Sequence, residues 1–341
     1  MCHMRAYSGC CFLSLLLIHF AGAAVAADDM KPLQKCLDMQ NREAAETELN
    51  CYRQAATESA AERSLVPLRT QGLSSDWKPT NDPLNVYKQT YALLYAHSSQ
   101  TNDMPTSPNP QNQVLTASPQ DNRNLKIQIS FKHDLADFNR YGSLWFGYTQ
   151  LSFWQVYDRA NSRPFRETDY EPEFIYSYRT ANRYSLLGIN PTILNVGLVH
   201  QSNGQSNPRS RSWNRIYIQS GMEHDNGDAG RLDILVRWWQ RIKENSRDDD
   251  NPDITNYLGH GDIEIRYSQY RKWEVSLTGK ARSIQIDLAA PWPTWEKLSF
   301  IPTRRHNTNL HVQYFSGYGE SLVDYNQKHE TWGIGLSFPF E

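Results

Sequence analysis

The 341-residue chain has no excess of charge of either sign: 35 Lys and Arg stand against 37 Asp and Glu, a formal net charge of -2. That balance withholds the basic surface a nucleic-acid partner requires. Beyond residue 26 no apolar run approaches the roughly 20 residues of a membrane-spanning helix, and the mean hydropathy is only -0.68. Cysteine is scarce. Of five, Cys2, Cys10 and Cys11 fall within the first 26 residues, and only Cys36 and Cys51 follow. The G-x-S-x-G elbow, the P-loop and H-E-x-x-H are missing too, which removes the usual nucleophile, phosphate and zinc signatures.

Aromatic residues, by contrast, make up 12% of the chain. Residues 12–26, "FLSLLLIHFAGAAVA", follow a short segment containing Arg5 and end in Ala24-Val25-Ala26. Such a stretch predicts a signal peptide over residues 1–26, with export and a mature chain from Ala27. In an oxidising compartment Cys36 and Cys51 can form one disulfide. The Ala- and Glu-rich segment between them suits a short helical hairpin, so residues 27–63 are expected to be a helical, disulfide-clipped periplasmic module. Residues 64–82, rich in Pro, Gly, Ser and Asp, read as a linker. Residues 98–123 carry Pro105, Pro108, Pro110 and Pro119 and read as a long loop, between an early strand around Val86 to His97 and one beginning near Leu125.

From about residue 124 onward the sequence alternates with period 2, the mark of strands with two different faces. Ile263, Ile265 and Tyr267 alternate with Asp262, Glu264, Arg266 and Ser268. Ile284, Ile286 and Leu288 alternate with Gln285 and Asp287, and Leu310, Val312 and Tyr314 with His311 and Gln313. The closing "TWGIGLSFPFE" sets Trp332, Ile334, Leu336, Phe338 and Phe340 on one side before Glu341. A transmembrane β-barrel reconciles low hydropathy with abundant aromatics, because only alternate residues face lipid. Residues 83–341, at about 21 residues per strand and connection, give roughly 12 strands, an even number as bacterial barrels require. The fold predicted is therefore all-β: a 12-stranded antiparallel transmembrane barrel in an outer membrane behind a short helical extension.

One strand breaks the pattern. In "LNVGLVHQSNGQSNPRSRSWNR" the apolar positions Leu194, Val196 and Leu198 lead into His200 and Ser202 on the same parity. Across the polar loop, Asn214 shares the parity of Ile216 and Ile218. If the apolar residues face lipid, the three polar ones meet at the bilayer edge. A histidine can act as general base for a serine hydroxyl, and an asparagine amide can hold the imidazole tautomer. The competing reading is a passive barrel, such as a small porin or a structural protein, with a vestigial triad.

At this stretch the chain closely resembles the outer-membrane phospholipase A family, whose hallmark reads "HQSNGQSNPRSRSWNR" here. The likeness extends to "YTQLSFWQ" at 148–155, "RPFRETDYEPE" at 163–173, "DDDNPDITNY" at 248–257 and "SGYGESLVDYN" at 316–326. It covers about residue 84 to the end and leaves out the Cys36–Cys51 module. The resemblance implies a calcium-dependent hydrolase of phospholipid and lysophospholipid acyl esters, at both the sn-1 and sn-2 positions, active as a homodimer. It implies Ser202 as nucleophile, His200 as base, Asn214 as the orienting group and the Gly204 amide in the oxyanion hole. Calcium contacts are implied for the Ser210 side chain and the Gln205 carbonyl of one subunit and the Arg163 carbonyl of the other. Two positions depart from the family pattern. Asn207 stands where an acidic residue is common, losing a charge that Asp250 in the "DDD" run can replace, and Leu151 is apolar in a segment expected to face the partner subunit.

Overall fold

A computed structural model describes residues 72–80, 82–159, 165–180, 190–269, 273–291 and 308–338. The expected signal peptide, the Cys36–Cys51 module and Arg163 lie outside the described residues. Twelve antiparallel strands close on themselves: β1 (Thr90–Ser98), β2 (Arg123–Asp137), β3 (Ser143–Trp154), β4 (Phe165–Arg179), β5 (Asn190–Ser202), β6 (Ser212–Asp225), β7 (Arg231–Ile242), β8 (Gly261–Gln269), β9 (Trp273–Lys280), β10 (Ser283–Pro291), β11 (Asn309–Tyr318) and β12 (Lys328–Phe338). Each strand pairs with its neighbour in sequence, and β12 closes onto β1 with Trp332 opposite His97. A two-residue pairing, Asn85–Val86 against Lys132 and Phe131, flanks β2. Closure leaves no free edge, so the ladder satisfies the backbone groups that hydrocarbon cannot. No helix among the described residues is long and apolar enough to cross a membrane; the long elements are strands.

The alternation now has two destinations. Phe174, Leu198, Ile216, Ile218, Trp238, Ile263 and Trp332 all point outward and are exposed. In water a contiguous belt of this kind costs roughly 25 cal/mol for each Å² exposed, whereas against acyl chains that cost vanishes. The inward face is polar and charged. Glu171 on β4 accepts from Lys88 at 2.5 Å and from Arg215 on β6 at 2.7 Å, and Arg237 on β7 pairs with Asp262 on β8 at 2.6 Å. Tyr217 lies across Gly197, where a Cβ would sit 2.3 Å from its ring, and donates to Glu173 at 2.6 Å. Removing the side chain at 197 makes room for that crossing contact.

Part of the stretch read as a linker is packed inside the barrel. A one-turn helix, α1 (Leu73–Asp76), buries Leu73 beside Ile193 and Gly221, and its first amides donate to Glu223 of β6. Trp77 follows, 4% exposed, edge-on to Tyr87 and Trp145 and beneath Lys132. Composition pointed to a linker because Pro, Gly and Ser dominate; two apolar side chains were enough to anchor it. A cavity of about 310 Å³ remains in the lumen, lined by charged groups of both signs including Lys126, Glu171, Arg237 and Asp287. Because strands alternate in direction, the connections 99–122, 203–211, 243–260 and 319–327 all fall at the end opposite α1.

Candidate active site

β5 runs to that loop end and finishes on Ser202, and β6 starts from Ser212. The register sets Ser202 opposite Ser212 and His200 opposite Asn214. His200 is exposed on the same face as Leu198, and Asn214 is half-buried on the same face as Ile216. His200 Nδ1 and Asn214 Oδ1 are 2.9 Å apart. A carboxamide oxygen only accepts, so the contact selects the imidazole with hydrogen on Nδ1 and leaves the Nε2 lone pair free. Ser202 stands two residues further along that face, opposite Tyr170 of β4. The imidazole's hydrogen bond is to Asn214, and none joins it to Ser202 in this conformation.

The other end of the Asn214 amide is engaged as well. Its Nδ2 donates to Glu244 Oε1 at 2.8 Å. Glu244 follows β7, whose Ile242 pairs with Asn214. Partial burial pushes its carboxyl above the ordinary value, and the Asp249 and Asp250 charges add to this, while the Asn214 hydrogen bond and Arg241 oppose it. Sequence reasoning did not pick out Glu244. The signal was its parity with Trp238, Gln240 and Ile242, but a residue just past a strand end is ordinarily read as loop.

Gly204 lies two residues beyond Ser202 at φ +62, a left-handed conformation, and a Cβ there would meet the Tyr170 ring at 3.0 Å. The loop around it hangs on Asn203. This buried amide donates to Glu167 Oε1 at 3.1 Å and Arg209 O at 2.9 Å, and accepts from the Arg211 and Gln205 amides at 3.0 and 3.3 Å. Arg211, fully buried, donates to the carbonyls of Ser210, Pro208 and Asn112 at 2.7, 3.2 and 3.2 Å. A cationic guanidinium thus spends its donors on loop backbone and holds the 203–211 connection against the 99–122 loop.

Of the residues expected to hold calcium, the structure brings Ser210 and Asp250 together: Ser210 Oγ donates to Asp250 Oδ2 at 2.6 Å. Asn207 Oδ1, Ser210 O and Asp250 Oδ1 surround the Asn112 Nδ2 at 3.0 to 3.1 Å. That nitrogen has two hydrogens for three acceptors, while the buried Asn112 Oδ1 has no partner. The cluster is rich in the oxygen donors a hard cation takes, although the Arg211 guanidinium already reaches its Ser210 carbonyl at 2.7 Å. The Gln205 side chain is engaged elsewhere, donating to Arg166 O at 2.9 Å, which leaves its backbone carbonyl as the group expected to serve an ion. Among the described residues no group of three or more His, Cys, Asp or Glu converges on one point.

Leu151 does not face a partner. It packs against Tyr91, Leu93 and Ala96 and lines the lumen, because parity turns Gln150 outward instead. Gln150 accepts from Tyr148 OH at 3.0 Å and donates to Ser152 at 3.1 Å on the apolar outer face.

Known proteins resemble this chain in sequence and in fold. The family model described as Phospholipase A1 matches residues 71–338. A protein of Neisseria meningitidis serogroup B is 42% identical over 221 residues, covering 62% of this chain and 54% of its own length. Phospholipase A1 of Salmonella typhimurium is 36% identical over 189 residues, 55% of this chain and 60% of its own. The matched region thus spans between half and two thirds of these relatives. Among solved structures, the calcium-bound dimer of the Salmonella typhi outer membrane phospholipase superposes with a TM-score of 0.63 at 28% identity, covering 78% of this chain and 97% of that one. A closed 12-stranded barrel, an outward-facing His200–Asn214 pair beside Ser202, and a family match over residues 71–338 together place the chain in the outer-membrane phospholipase A family.

Proposed function

We propose that this protein is an outer-membrane phospholipase that hydrolyses acyl esters of phospholipids and lysophospholipids at the lipid-facing surface of its barrel. The observation that carries the reading is the 2.9 Å His200–Asn214 hydrogen bond on an otherwise apolar outer face, with Ser202 two residues along. His200 Nε2 accepts the Ser202 hydroxyl proton as Oγ attacks the ester carbonyl carbon. The Gly204 amide donates to the developing oxyanion. As the tetrahedral intermediate collapses, the proton passes from His200 to the departing alcohol, leaving the acyl group on Ser202. Water, deprotonated by the same imidazole, then releases the fatty acid and restores the serine. Either acyl ester of a phospholipid presents the same carbonyl to this machinery, so we assign it both positions.

Calcium suits the oxygen cluster: Ser210 and Asp250 would hold it, with the Gln205 carbonyl and the partner subunit's Arg163 completing the set in a homodimer. When bound there, the ion would supply positive charge that stabilises the developing oxyanion. We further assign residues 1–26 to export, and residues 27–63 to a periplasmic module closed by a Cys36–Cys51 disulfide.

The test is fatty-acid release from mixed micelles with and without calcium, for the parent and for Ser202→Ala. Loss of activity to background in a variant that still shows the heat-dependent gel shift of a folded barrel supports the assignment. Undiminished hydrolysis rejects it, and ion conductance in liposomes without hydrolysis would favour a porin.

A further inference from the structure

A carboxamide has two ends of nearly equal size, and the chemistry of the triad depends on which end meets the imidazole. With Oδ1 toward His200, Nδ1 carries the hydrogen and Nε2 is a base; with Nδ2 toward it, the tautomer inverts and the base is lost. Something must set the amide's direction. On its far side Asn214 meets Glu244 Oε1 at 2.8 Å, and an ionised carboxylate can only accept. Turning the amide over would set two acceptors, Oδ1 and Oε1, against each other and a donor against the Nδ1 hydrogen.

The three groups lie in a row across adjacent strands. His200 is on β5, Asn214 opposite it on β6, and Glu244 two residues past Ile242, the β7 residue that pairs with Asn214. All share the outward parity of Leu198, Ile216 and Trp238, so the row runs along the lipid-facing surface at the loop end. Glu244 is half-buried there, not a freely solvated loop side chain. We propose that Glu244 is a positioning residue for this active site: its carboxylate locks the Asn214 amide in the orientation that presents Oδ1 to His200, extending the Ser-His-Asn arrangement to a fourth member.

The inference rests on the hydrolase reading above, and Ser202→Ala separates the two. Fatty-acid release would be measured for the parent, Glu244→Ala, Glu244→Gln, Asn214→Ala and the Asn214→Ala/Glu244→Ala double variant. Glu244→Ala is expected to lower kcat about tenfold, the scale of a hydrogen bond to a charged group, with KM unchanged. Glu244→Gln, which keeps an accepting oxygen at the same reach, is expected to recover most of that loss. In the Asn214→Ala background Glu244→Ala should change nothing, because the amide it orients is gone. Full activity in Glu244→Ala would overturn the proposal, as would an equal loss with and without Asn214. Equal losses in Glu244→Ala and Glu244→Gln would overturn it in favour of a charge effect alone. If Ser202→Ala were also fully active, the hydrolase reading would fall with it.

Discussion

His200 has its Nδ1 engaged by an acceptor and Nε2 left open, and this division of one ring is the chemical core of the site. Removing the base should therefore cost more than removing its support. His200→Ala is expected to lower kcat by about 10²- to 10⁴-fold, the range for general-base catalysis, and Asn214→Ala by less. Equal losses in steady-state assays would mean that the amide does more than orient. Glu244 carries a second, independent expectation. Its folded carboxyl titrates above the unfolded one, chiefly through burial, so its favourable contribution is complete below the unfolded value and is lost as the pH rises through the folded value. Relative to Glu244→Gln, the parent should gain stability as the pH falls from 7 to 4. Urea midpoints of both proteins at the two pH values would check the sign.

The 203–211 loop shows how an irregular segment is held to the tolerance that an oxyanion site demands. One amide, Asn203, bonds four partners within and below the loop, and Arg211 ties the same loop to the 99–122 connection. Asn203→Ala would leave the Arg211 amide and the Glu167 carboxylate without that partner, at about 1 to 3 kcal/mol for each buried group. Because β5 and β6 continue their ladder without the loop, the barrel should still fold and resist denaturation by detergent. Activity should drop by about tenfold or more through a displaced Gly204 amide. Heat modifiability and turnover measured on one preparation would separate these effects, and a parent-like kcat would show that the loop holds its shape without Asn203.

The closed ring needs something in its lumen, and α1 with Trp77 supplies it. Trp77 is buried against Tyr87 and Trp145 and lies beneath Lys132, so Trp77→Ala is expected to cost about 3 to 5 kcal/mol of stability. A shift in the urea midpoint reads this directly; an unchanged midpoint would make the segment a passenger. Assembly gives another expectation. If the partner subunit's Arg163 completes the ion site, calcium favours the dimer and the dimer favours calcium by the same factor. Activity per mole should then fall on dilution into excess detergent at fixed calcium and return when calcium is added. Flat specific activity across dilution, insensitive to chelator, would remove both from the mechanism.

Much of this was legible along the chain. Period-2 alternation separates Ile263 and Leu288 from Glu264 and Asp287, and so sets the two faces and implies the barrel from the residue order alone. It also put His200, Ser202 and Asn214 on one face, since parity needs only the count of residues. What parity cannot give is distance across strands or across the lumen. Glu244 became a neighbour of Asn214 through the β6–β7 register, and Asn112 reached Asn207, Ser210 and Asp250 from a loop 95 to 138 residues earlier. Lys88 found Glu171, and Trp77 found Trp145, only once the ring had closed around them. Leu151 was misread for the same reason in reverse: motif position suggested an interface, whereas the pleat turned it inward. Local sequence determined which side of the wall each residue faces, because the backbone enforces that alternation residue by residue. Which groups meet was decided by closure and shear of the whole ring, a global property that no short stretch encodes.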